Sequence, residues 1–261
     1  MTSVLAYLCL GGGVGVVAGL LGVGGGLIIV PALLYLFKAQ GIAPGVTMHL
    51  AIGSSLATVV FTSISSAYAH HRHGAVRWPI VGRMTAGIAI GAILGALIAN
   101  YLAGEALRRC FGVFEWIVAA QMWFGIRPRP QRALPGTAMM GFTGTIIGAI
   151  SAILGIGGGT LTVPFLVWCN ISLREAVATS AACGLPIALA GAIGFAATGW
   201  TNPALPAWSS GYIYWPAVAG VAAASIFTTS LGAWLTHHLP VVVLRRAFAV
   251  VLFLIGWRML V

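Results

Sequence analysis

Acidic residues are almost missing from this chain of 261 residues: there is no Asp, and the three Glu are Glu105, Glu115 and Glu175. Charged residues of both signs make up 6% of the chain, against 60% hydrophobic. Soluble domains carry about 25% charged residues, because a surface facing water needs them. Paired-carboxylate catalysis has no second partner once two of the three acids lie beside Arg residues. Gly-x-Ser-x-Gly, His-Glu-x-x-His and the Walker phosphate loop are all absent, which removes the commonest signatures of serine hydrolases, zinc proteases and ATPases. The four cysteines, Cys9, Cys110, Cys169 and Cys183, sit in or beside apolar segments without paired spacing and make no disulfide framework. The net charge of +10 does not indicate nucleic-acid binding, since the Arg residues are scattered between apolar runs.

What is present is apolar sequence in long blocks. Segments run over 4–37, 45–69, 78–103, 107–124, 134–168, 176–199, 211–236 and 241–261. About 20 apolar residues cross a bilayer core of about 30 Å, so the expectation is an all-α polytopic membrane protein with about eight apolar segments. The N-terminal run starts at Val4 without a preceding Lys or Arg and continues to Phe37. That is too long for a signal-peptide core, and it is read as retained. Segments 4–37 and 134–168 are too long for one straight crossing, and each is interrupted by a glycine cluster. Each is expected to be broken or re-entrant.

The chain repeats itself. LGVGGGLIIVP at 21–31 matches LGIGGGTLTVP at 154–164. Ala51, Gly53 and Ala57 align with Ala182, Gly184 and Ala188, Trp78-Pro79 with Trp215-Pro216, and Leu107-Arg108-Arg109 with Leu244-Arg245-Arg246. The expected division is a first repeat over 1–124, a basic connector over 125–133 containing Arg127, Arg129 and Arg132, and a second repeat over 134–261. Parallel halves distribute the basic residues six against seven. Inverted halves distribute them nine against four, with the connector on the richer side. The positive-inside rule therefore favours inverted repeats, a cytoplasmic connector and periplasmic termini.

The candidate site starts from the doubled glycine cluster, Gly22, Gly24, Gly25 and Gly26 in one half and Gly155, Gly157, Gly158 and Gly159 in the other. Each is followed by a proline, Pro31 or Pro164. Glycine tolerates the backbone angles of a helix break. The half-helix beyond begins with unpartnered N–H groups at the positive end of its dipole, which makes an anion site from backbone alone. Repeat-built secondary transporters place such breaks where the halves meet. The competing reading is close helix packing, and the matching positions of the two clusters favour a site. Polar residues that follow could donate to an anion: Thr47, His49, Ser54 and Ser55 in one half, Thr179, Ser180 and Cys183 in the other. For any one of them, bonding between helices or back to its own helix competes with this role. Glu115 lies about eight residues into a span, and an acid at that depth is a functional candidate, for proton coupling or for pairing with Arg83. Arg83 is itself the one Arg several residues into a span, and it joins the candidate substrate-binding set. The His70, His71, Arg72, His73 run lacks a nearby carboxylate and reads as a headgroup-facing edge, not as a metal site. No cofactor is expected.

LLGVGGGLIIVPAL at 20–33, HRHGAVRWP at 71–79, ILGIGGGTLTVPFL at 153–166 and the stretch from Trp215 through LGAWLTHHLP to LRRAFAVVLFLIGWRML resemble the sulfite exporter TauE/SafE family over nearly the whole chain. The resemblance implies a permease of the bacterial inner membrane for sulfite, an organosulfonate or a related organic anion. The chain departs from a common family pattern where an Asp often precedes the tryptophan: Arg77 and Tyr214 stand there. The expected function is a secondary transporter working by alternating access around both glycine clusters. The alternatives are an anion channel, and an intramembrane hydrolase built on Ser54 or Ser55 with His49.

Overall fold

The computed structural model describes residues 2–21, 25–125, 133–236 and 241–261. Gly22 and Gly24 lie outside the described residues, as do Arg127, Arg129 and Arg132 of the connector. Among the described residues the chain forms ten helices: α1 (Thr2–Leu21), α2 (Gly26–Ala39), α3 (Pro44–Arg72), α4 (Trp78–Tyr101), α5 (Gly104–Phe124), α6 (Thr137–Leu154), α7 (Gly159–Trp168), α8 (Leu173–Gly199), α9 (Trp215–Thr236) and α10 (Val241–Leu260). A two-stranded antiparallel ladder, β1 (Ser209–Ser210) and β2 (Ile213–Tyr214), precedes α9. Both long segments are broken as expected, the first into α1 and α2, the second into α6 and α7.

The helix boundaries follow from local chemistry. Pro44 and Pro79 stand in the first turns of α3 and α4, where a missing N–H costs no helical bond. Ser172 caps α8 by accepting the Glu175 N–H, and its own hydroxyl donates to the Glu175 carboxylate at 2.9 Å. Gly125 ends α5 with φ 66°, a left-handed turn that favours glycine.

Lipid is the solvent of the outer faces. Ile90, Ile93, Leu94, Leu97 and Ile98 point outward from α4, and Phe253, Leu254 and Trp257 from α10. Helices α3, α4, α6 and α8 are each long and apolar enough to cross a bilayer. The protein is an all-α polytopic membrane protein.

Repeat mates pack against each other in opposite directions. Along α3, Gly53, Leu56 and Ser63 meet Phe195, Gly191 and Gly184 of α8, so one number rises as the other falls. On α5, Gly112, Trp116 and Gly125 meet Gly256, Phe253 and Arg245 of α10, again antiparallel. Mates that run antiparallel through a common seam make the two halves inverted. The first helix of each half packs along the fourth helix of the other, α1 on α9 and α6 on α4. The α4–α6 seam is set by Gly87, Gly91 and Gly95, one helical turn apart, on which any Cβ would collide with the carbonyls of Gly141, Thr145 and Ala149. Small residues let membrane helices approach this closely, which is where their packing attraction comes from.

Gly91→Val should therefore destabilise the folded protein by about 2 kcal/mol or more, the order of overpacking a tight interior. Ile90→Val, one residue away on the lipid face, should be near neutral. Thermal unfolding of the two detergent-solubilised variants checks the contrast.

Candidate functional site

The two glycine clusters converge between the halves. Helix α2 begins after Gly25 (φ 73°) and α7 after Gly158 (φ 75°), and neither start has a side-chain cap. In both, the third and fourth N–H groups turn back to the capping carbonyl: Ile28 and Ile29 to Gly25, Leu161 and Thr162 to Gly158. The first N–H groups have no helical acceptor. A Cβ on Gly26 would lie 2.7 Å from the Gly155 carbonyl oxygen and 2.8 Å from Ile156 Cα, so the start of α2 rests on the backbone of the α6–α7 break. Gly155 in turn approaches Val30 and Ile52. Pro31 and Pro164 lie inside α2 and α7, where each removes one ladder donor.

The sequence-selected polar residues divide into two groups. Most already hold protein partners. Ser55 Oγ donates to the Gly155 carbonyl at 2.8 Å, closing a backbone acceptor freed by the break. Ser54 Oγ accepts the Tyr214 N–H at 2.9 Å, and Thr179 Oγ1 accepts the Arg77 N–H at 3.0 Å. Tyr214 and Arg77 hold corresponding repeat positions just before α9 and α4. Each half thus ties that turn to the long helix of the other. Arg77 adds an ion pair to Glu175 at 2.8 Å. Thr47 Oγ1 bonds back to the Ala43 carbonyl at 2.7 Å in the first turn of α3. His49 donates through Nε2 to the Ala99 carbonyl at 3.0 Å and stacks on the Tyr212 ring. Ser54 and Ser55 are thus engaged with backbone groups, and no hydrogen bond among the described residues joins either to His49, whose Nδ1 has no partner.

The second group lacks partners. Ser180 is 2% exposed with no hydrogen bond to its hydroxyl. Cys183 is buried one turn further along α8. Glu115 is fully buried in α5, and neither carboxyl oxygen has a partner. Arg83 is exposed on α4, and no ion pair joins it to Glu115 among the described residues. The other two acids are paired: Glu105 with Arg108 and Arg109 in the first turn of α5, and Glu175 with Arg77.

Three polar residues at the α7 start were not singled out from the sequence. Ser151 in the last turn of α6, and Thr160 and Thr162 in the first turn of α7, carry buried hydroxyls without partners. A Cβ on Gly158 would stand 3.5 Å from Ser151 Oγ and 3.6 Å from Thr162 Oγ1, and it would collide with Ile187 of α8. Comparing the repeats position by position could have found two of them, because Thr160 and Thr162 face Leu27 and Ile29 in the alignment of the glycine motifs.

Comparison with known proteins points to a transporter family. The family described as Sulfite exporter TauE/SafE matches residues 7–259. The chain is similar to a probable membrane transporter protein of Haemophilus influenzae, 37% identical over 99% of this chain and 98% of the relative. It is also similar to one of Methanocaldococcus jannaschii, 28% identical over 95% and 91%. A third, from Bacillus subtilis, is 25% identical over 89% and 90%. No solved structure matches. With two inverted halves meeting at a pair of broken helices, and a family match spanning almost its full length, the chain belongs to the sulfite exporter TauE/SafE family and is a multi-pass membrane transporter.

Proposed function

We propose that this transporter moves a small sulfur-containing anion, sulfite or an organosulfonate, across the bacterial inner membrane by alternating access of its two halves around the glycine breaks. The observation that carries the reading is the contact of Gly26 with Gly155 and Ile156, which brings the starts of both broken half-helices to one seam between the repeats. Both starts offer backbone N–H groups and the positive end of a helix dipole, the general means of holding an anion without a cation. The only buried acid among the described residues is Glu115, and a membrane interior poor in acids suits negative cargo. The connector is assigned to the cytoplasm and the termini to the periplasm, on the distribution of basic residues.

An inside-negative potential supplies about 2.3 kcal/mol per charge per 100 mV for anion export. A buried carboxyl without partners makes Glu115 the candidate for any proton coupling. The seam favours a carrier over a channel: Ser151 and Thr162, beside the α7 start, are 0% exposed, so no open path runs past them. The hydroxyls of Ser54 and Ser55, each bonded to a backbone group, speak against the hydrolase.

In proteoliposomes, labelled sulfite uptake should saturate and show counterflow, and Gly158→Val should abolish it while leaving helical content unchanged. Uptake that never saturates and shows no counterflow would sink the carrier reading. Glu115→Gln should keep transport driven by an electrical potential and lose any response to an imposed pH gradient. An unchanged response removes Glu115 from the coupling.

A further inference from the structure

The two half-helix starts are equivalent in sequence position and unlike in surroundings. At α2, the residues of the first turn are Leu27 and Ile29, 1% and 0% exposed, and the start itself is packed on the Gly155–Ile156 backbone. At α7, the equivalent positions are Thr160 and Thr162. Ser151 approaches the same start from α6, where the aligned residue of the first half is Ala18. Ser180 belongs to α8. It lies on the helix face shared by Gly184 and Ile187, and those two residues touch the Gly157 carbonyl and Gly158.

Ser151, Thr162 and Ser180 are 0%, 0% and 2% exposed, and none of their hydroxyls has a hydrogen-bond partner. Buried hydroxyls in folded proteins are ordinarily bonded. Two that are not, Ser151 and Thr162, stand beside an uncapped helix start, and Ser180 lies on the α8 face packed against it; next to the positive end of the helix dipole these hydroxyls are placed to donate. The missing partner is therefore rich in acceptor atoms. The positive end of the α7 dipole and the lack of any carboxylate among these residues exclude a cation. The residues around the start, Ser151, Gly158, Thr162, Ser180 and Ile187, carry no formal charge. Their compensation for a ligand's charge is thus limited to the dipole, equivalent to about half an elementary charge, and to neutral donors. A second negative charge on the ligand would be buried unpaired, which is expensive.

We propose that the anion is held at the α7 start alone, by Ser151, Thr162 and Ser180 with the first N–H groups of α7, and that this nest accepts a singly charged oxygen-bearing headgroup such as bisulfite or a sulfonate and rejects dianions such as sulfate. The α2 start is then the close-packed surface against which the nest is built and holds no second ion. This rests on the anion-transporter reading and deepens it.

The test uses the full chain in proteoliposomes, following labelled sulfite uptake. Wild-type protein comes first: if it takes up no labelled sulfite and no labelled methanesulfonate, the transporter reading itself fails, whatever the variants do. Given uptake, Ser151→Ala and Thr162→Val should each raise KM about tenfold or more, the size of a lost hydroxyl bond to a charged group, with kcat changed less. Thr162→Ser, which keeps the hydroxyl, should restore KM. Thr85→Val on α4, whose hydroxyl bonds its own helix at Val81, should behave as wild type. Methanesulfonate in large excess should compete with sulfite, and sulfate should not. Wild-type KM in both Ser151→Ala and Thr162→Val would overturn the nest, its hydroxyls then serving water only. Equal competition by sulfate would overturn the charge selectivity. Should Thr162→Val fail to fold, Ser151→Ala and the competition pair still decide.

Discussion

A backbone N–H or carbonyl with no partner is expensive in a bilayer, where water cannot take its place. Two helices of this protein break inside their apolar segments, and much of the interior is arranged around the groups those breaks release. The Gly155 carbonyl is taken by Ser55 of the other half. The Gly25 and Gly158 carbonyls each receive two N–H groups in a tightened first turn. Gly26 rests directly on the second break. What stays unclaimed among the described residues includes the first donors of the half-helices and the hydroxyls beside α7, together with the Glu115 carboxyl and His49 Nδ1. Several of the unclaimed hydroxyls, Ser151, Thr160 and Thr162, thus lie together at the second break.

The halves are held together by exchange. The antiparallel pairing of α3 with α8 and of α5 with α10 gives the inverted arrangement, and the crossings of α1 on α9 and α6 on α4 interlock it. Both crossings rest on glycine rather than on large side chains, since lipid tails are as apolar as leucine and offer no hydrophobic incentive for helices to associate. Reciprocal ties, Arg77 to Thr179 and Tyr214 to Ser54, fasten the turn before each fourth helix to the opposite half.

Most of this architecture was legible beforehand, because its signals are strong ones. Long apolar runs, a glycine cluster in the middle of two of them and an internal match at fixed offset all follow from bilayer thickness and backbone geometry. The polar site was read less well. Thr47, Ser54, Ser55 and Thr179 were chosen for lying near the glycines, and they turn out to hold backbone groups of the fold. Hydroxyl identity cannot tell a bonded side chain from an unpartnered one, since that depends on what packs opposite. Nothing in the sequence sets Ser151, Thr160 and Thr162 apart from hydroxyls that bond back to their own turn. A pairing of Arg83 with Glu115 was one of two expectations for that acid. The structure puts one at the surface and the other in the interior, because depth along the chain does not say which face of a helix a residue occupies.

The interlock also orders events in time. When α6 leaves the ribosome, α4 is already in the membrane and its row of Gly87, Gly91 and Gly95 can receive it at once. Helix α1 is made long before its partner, since Gly11 and Gly15 pack on Val221 and Ser225 of α9. Through most of synthesis that small-residue seam faces lipid or a temporary occupant. The first half is therefore not a unit that can finish folding while the second is being made. Helix α1 stays uncommitted until α9 has been made, and arrival of the second half is what closes the first.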